Sequence, residues 1–85
     1  MLTDKDVRAD VVLDASGLVC PLPAVKTAMQ LEKMEIGEVL EVITTDEISK
    51  VDLPLWCRQT GNELIEIVEE KETFHIFVRK LKKWW

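Results

Sequence analysis

Eighty-five residues, 47% hydrophobic and 32% charged with three Gly and three Pro, allow one domain and argue against disorder or low-complexity structure. Sixteen Asp and Glu against eleven Lys and Arg leave a net charge of −5, which excludes a general nucleic-acid binder, because phosphate neutralisation needs clustered cations. Two cysteines and one histidine, far apart, suit neither a disulfide framework nor a zinc site, so no metal and no cofactor is expected.

Met1 to Asp10 carries Asp4, Lys5, Asp6, Arg8 and Asp10 without an apolar core, so it does not read as a secretory signal. No apolar run is long enough to span a membrane, and a cytoplasmic location is expected. Val7, Ala9, Val11 and Leu13 alternate with Arg8, Asp10, Val12 and Asp14, the period of a strand, until Ser16-Gly17 breaks it. From Pro21 the period becomes helical. Ala24, Val25, Ala28, Met29 and Leu31 share one face, predicted to be the buried one, with Lys26, Thr27, Gln30 and Lys33 opposite. Gly37 suits a helix C-cap or a turn.

Val39 to Thr44 is β-branched and apolar on both faces, which predicts a central strand. Thr45 or Asp46 can cap a second helical segment, and Asp52 with Pro54 reads as a fresh helix start within it, since proline is welcome only in a first turn. Leu53, Trp56, Cys57 and Thr60 then form a stripe that Gly61-Asn62 ends. Leu64 to Val68 and Phe74 to Val78 read as a hairpin joined by Glu69-Glu70-Lys71-Glu72. The order β-α-β-α-β-β predicts an α+β fold: a two-layer α/β sandwich, a four-stranded mixed sheet with both helices on one face. One domain would fill residues 1–85, with its core from about 7 to 80 and a frayed tail at 81–85. The other sheet face, with Arg8, Val12, His75, Phe77 and Arg79, would be partly open to solvent or to a partner.

Chemistry concentrates in Leu13-Asp14-Ala15-Ser16-Gly17-Leu18-Val19-Cys20-Pro21-Leu22-Pro23. With Cys20 as N-cap, Pro21 is N1 and Pro23 is N3; both lack an N–H, which costs nothing in a first turn, and both stiffen it. The amides of Leu22 and Ala24, with the positive helix end, would then favour the Cys20 thiolate. Alternatively, Cys20 is a small apolar residue filling a strand-to-helix corner. Asp14 either orients the loop through backbone N–H groups or simply ends the strand. Cys57 reads as a core residue; the sharper alternative is a resolving thiol for Cys20, which would need Cα atoms within ~7 Å. His75 reads as a solvated or structurally bonded residue of the open face rather than a base. Lys80-Leu81-Lys82-Lys83-Trp84-Trp85 is either a frayed end or a partner anchor.

Gly17-Leu18-Val19-Cys20-Pro21-Leu22-Pro23 resembles the Gly-x-x-Cys-Pro-x-Pro signature of the TusA/SirA-like sulfurtransferases, and Leu13-Asp14 fits that family's opening. The likeness continues through Gly37-Glu38-Val39-Leu40, Thr45-Asp46, Asp52-Leu53-Pro54 and Cys57 to Leu64. It implies a sulfur carrier, rather than a stand-alone turnover enzyme, in which Cys20 accepts a sulfane sulfur as a persulfide and relays it to a thiol of another protein. Asp14, Gly17, Pro21, Leu22, Pro23 and Ala24 would support that cysteine. Partners implied are a cysteine desulfurase, rhodanese or DsrE-like protein, in tRNA thiolation, molybdenum-cofactor supply or sulfur oxidation. Independently of the resemblance, the acidic charge and short apolar runs predict no nucleic-acid or membrane partner, and a carrier that docks with successive partners can work as a monomer. Many tRNA-thiolation members carry a basic residue before the cysteine and an acidic one between the prolines; here those positions are Val19 and Leu22. Two other readings stand beside this one: a non-catalytic regulatory or protein-interaction module, and a Cys20/Cys57 thiol-redox protein.

Overall fold

The computed structural model describes residues 9–19 and 21–81. Its elements are β1 (Val11–Asp14), α1 (Leu22–Glu32), β2 (Val39–Thr44), α2 (Glu47–Thr60), β3 (Glu63–Glu70) and β4 (Thr73–Arg79). They build one mixed sheet of order β1-β2-β4-β3, with β1 parallel to β2 and the other pairs antiparallel. This is the α+β order expected, and β2 is interior, as its two apolar faces require. Each helix returns antiparallel to the strand it follows. The two helices therefore run parallel, with their N-termini at the pole where β1 and β2 finish.

The core lies between the helices and the sheet: Leu40 and Val42 of β2, Phe74, Ile76 and Val78 of β4, Leu31 of α1, and Leu53 and Cys57 of α2. Register explains the contribution of β3. Leu64 pairs with Val78 and Ile67 with Ile76, and the shift between Leu64 and Glu66 leaves Ile65 as an extra residue. Without it the odd and even positions Ile67 and Leu64 would face opposite sides; with it both pack on the core. The hairpin is tighter than the sequence predicts. Both strands extend beyond the expected limits, leaving only Lys71 and Glu72 as the turn, with Lys71 at φ 57.

Several expectations are corrected. The β1 ladder begins at Val11, and Val7 and Arg8 lie outside the described residues. In α1 the buried stripe is Pro23, Thr27 and Leu31, whereas Val25 and Met29 are 46% and 53% exposed. Thr27 enters the core because its hydroxyl donates to the carbonyl of Pro23 at 2.7 Å, one turn back, so its polar atom arrives already bonded. Pro54 does not restart a helix: α2 is continuous through it, capped by Asp46 and closed by Gly61 at φ 82. Tertiary packing of Ser49, Leu53 and Cys57 along one stripe outweighs the single backbone bond that proline forgoes.

Lys80, read as part of a basic tail, is buried, and its Nζ donates to the carbonyls of Leu31 (2.7 Å) and Met34 (2.6 Å). A cation thus closes the C-terminal end of α1, where the helix dipole is negative. Residues 82–85 lie outside the described residues. The open sheet face is drawn together by side-chain hydrogen bonds: His75 Nδ1 lies 2.7 Å from Glu41 Oε2, and Arg79 donates to Glu63 at 3.0 Å. Between them Phe77, flanked in register by Glu41 and Glu66, is only 8% exposed, so that face is less open than the alternation implies. No helix among the described residues is long and apolar enough to cross a membrane.

Candidate functional site

The loop from β1 to α1 is tied at successive residues. Ala15, fully buried, donates its N–H to the carbonyl of Ile43 at 2.7 Å, prolonging the β1–β2 ladder past the strand end. Asp14 then accepts the Ser16 N–H at Oδ1 (3.0 Å), and the Ser16 hydrogen bonds, side-chain first and backbone second, hold the Asp14 carboxyl below its ordinary value of 3.8. Gly17 turns the chain at φ +83. A Cβ there would meet nothing within 4 Å, so backbone conformation, not crowding, asks for glycine. The Gly17 N–H donates across the fold to Thr45 Oγ1 at 3.0 Å. Leu18 donates to Ala15 at 3.2 Å.

Cys20 lies outside the described residues. Its neighbours on both sides are placed. Val19 is 62% exposed and Pro21 is exposed, with Leu22 exposed just beyond. Pro23, by contrast, is a buried anchor of the first turn. The N-cap falls on Pro21 rather than Cys20, which makes Leu22 N1, Pro23 N2 and Ala24 N3. The Leu22 amide, expected to face the sulfur, donates instead to the Val19 carbonyl at 2.8 Å. Of the four N–H groups that a helix start leaves without intrahelical partners, the two prolines have none, Leu22's is taken, and Ala24 supplies the fourth.

Pro21 also opens a groove of about 420 Å³ between the helices, lined by Ala24, Val25, Ala28, Met29 and Glu32 of α1 and by Trp56 of α2. Sequence periodicity assigned Val25 and Met29 to the core and so missed it. The signal available was an α1 with more apolar residues than one buried stripe can take. Thr45, read as a cap and as part of the family-like Thr45-Asp46 block, is the other residue sequence reasoning did not place at this site.

The remaining candidates are accounted for elsewhere. Cys57 is a free thiol, 1% exposed, and desolvation pushes it from 9.0 up to about 12. His75 is on the far side of the sheet, bonded to Glu41. Among the described residues no group of three or more His, Cys, Asp or Glu could hold a metal ion.

Comparison with known proteins bears on the same stretch. The family model described as sulfurtransferase TusA matches residues 11–80. The sulfur carrier protein TusA of Allochromatium vinosum is 48% identical over 71 residues, 84% of this chain and 93% of that one. A protein of Archaeoglobus fulgidus is 43% identical over 72 residues, 85% of this chain and 99% of its own. The crystal structure of a SirA-like protein from Desulfitobacterium hafniense superposes with a TM-score of 0.74 over 85% of this chain and 99% of that one, at 23% identity, a match of fold. With a model that spans β1 to the end of β4 and relatives aligned over nearly their whole length, the chain belongs to the TusA family of sulfurtransferases.

Proposed function

We propose that the protein is a cytoplasmic sulfur carrier that holds a sulfane sulfur as a persulfide on Cys20. The Cys20 thiolate attacks the terminal sulfur of a donor protein's persulfide. A new S–S bond forms at Cys20, the donor's S–S bond breaks, and the donor leaves as thiolate. The acceptor thiol repeats the exchange, so the sulfur moves without net oxidation or reduction. No general base is required if the start of α1 already favours the thiolate, and the reading assigns the Ala24 amide to that role.

One observation carries the proposal beyond family membership. The chain has two cysteines, and the burial that raises Cys57 to about 12 withdraws it from thiol chemistry, leaving Cys20 to perform it. The same burial argues against a Cys20/Cys57 redox pair. Exposed Val19, Leu22, Val25 and Met29 around and beyond Cys20 offer a docking protein an apolar rim with few charges, in keeping with a cysteine desulfurase, rhodanese or DsrE-like donor or acceptor. A monomer suffices for this role, since each partner brings the second sulfur.

Intact mass spectrometry after exposure to polysulfide tests the assignment, with wild type beside Cys20→Ser and Cys57→Ser, each with and without reductant. The expected result is a reductant-labile gain of sulfur in wild type and Cys57→Ser that is absent in Cys20→Ser. A gain that persists in Cys20→Ser, or no gain in any protein, sinks the proposal.

A further inference from the structure

The described residues on either side of Cys20 are held by hydrogen bonds, and one of these ties comes from a residue 28 positions beyond Gly17. Thr45 Oγ1 accepts the Gly17 N–H at 3.0 Å, three residues before the cysteine. Thr45 is itself fixed. The preceding Thr44 is buried at the end of β2, and its hydroxyl accepts the Asp46 N–H at 3.1 Å. Asp46 caps α2, accepting the Ser49 N–H at its carbonyl and the Ser49 hydroxyl at Oδ2, both at 3.1 Å. A β-branched side chain on such a support has few rotamers to explore, so its oxygen is a stationary acceptor.

We infer that Thr45 is a positioning residue for sulfur transfer: by anchoring Gly17 it sets where the Cys20 loop meets the start of α1. This rests on the persulfide reading above. The physical case is pre-organisation. Ala15 is locked to Ile43, Gly17 to Thr45, and Leu22 to Val19, so the stretch around the cysteine has few residues left to order when a partner docks. Without the Thr45 oxygen, the positive-φ turn at Gly17 keeps its conformational freedom and loses its restraint. The loop then samples orientations in which the cysteine is displaced from the helix start, and attack on a donor's sulfur slows. Thr45 is exposed, so replacing it removes the tie without opening the core.

The experiment compares wild type, Thr45→Val, Thr45→Ala and Thr45→Ser, with three readouts. These are the rate of sulfur loading from polysulfide, the pH profile of iodoacetamide alkylation at Cys20, and the melting temperature. Thr45→Val and Thr45→Ala are expected to load about threefold to tenfold more slowly, the weight of one hydrogen bond in a rate, and to displace the alkylation profile upward. Thr45→Ser should restore both, and the melting temperatures should stay close together. Loading rates and profiles equal to wild type in Thr45→Val and Thr45→Ala overturn the inference, as does a Thr45→Ser protein that behaves like them. If wild type takes up no sulfur, the persulfide reading fails, and the alkylation profiles alone still decide whether Thr45 positions Cys20.

Discussion

Asp14 shows how a single exposed carboxylate can be tied to the β1–α1 loop through geometry that is local in sequence. Its hydrogen bonds from Ser16 favour the ionised form, so its pKa in the folded chain lies below the 3.8 of an unperturbed group. The stability linked to that difference is present above 3.8 and is lost as pH falls through the lower folded value. Asp14→Asn keeps an acceptor oxygen and discards the charge. Its melting temperature should fall below wild type at neutral pH, and the gap should close in strong acid; a gap constant across the titration contradicts the account. Local features of this kind were legible in part: Asp14 as one of two open readings, a loop-orienting acceptor or a strand end, and Cys57 as a core residue on the Leu53/Trp56 stripe. The Thr45 bond to Gly17 was not, because nothing in a linear pattern announces a side-chain acceptor 28 positions from its donor.

At the scale of elements, the helices were found in their places and misread in their faces. Periodicity counts apolar residues and assumes the richest stripe is buried. In α1 that rule fails because Thr27 carries its own local hydrogen bond inward while Val25 and Met29 turn to the groove. In α2 the rule for proline fails in the opposite sense, through overestimating one residue. Pro54 offers no N–H to the carbonyl of Lys50, yet the helix runs on to Thr60. Restoring that donor with Pro54→Ala should stabilise the protein by about 1 kcal/mol, the gain in helix propensity and backbone bonding being partly offset by a freer unfolded chain. Urea denaturation measures it, and a lower midpoint at unchanged slope would show that the proline serves packing rather than interrupting it.

For the whole molecule, the two-layer arrangement followed from the order of strand and helix patterns, because a β-α-β unit with a short crossover leaves few alternatives. The tie that joins the layers did not. Lys80 crosses from the end of β4 to the last turn of α1, and a lysine within a basic run carries no mark of burial. Lys80→Met retains the stem and leaves the Leu31 and Met34 carbonyls without that donor. A loss of about 1–3 kcal/mol in urea denaturation is expected, the range for stranding buried acceptors of a charged donor. A loss well under that range would mean that water replaces the ammonium.

Because both helices run in the same direction, Thr45, Gly17 and the start of α1 gather at one pole of the molecule while Lys80 closes α1 at the other. The eleven residues of α1 separate them by about 16 Å, beyond the range over which substitutions usually couple. Robustness at one pole and the geometry of the Gly17 loop at the other are thereby made independent variables. Stability can be lost or gained at the Lys80 end while the hydrogen bonds that hold the Gly17 loop stay as they are.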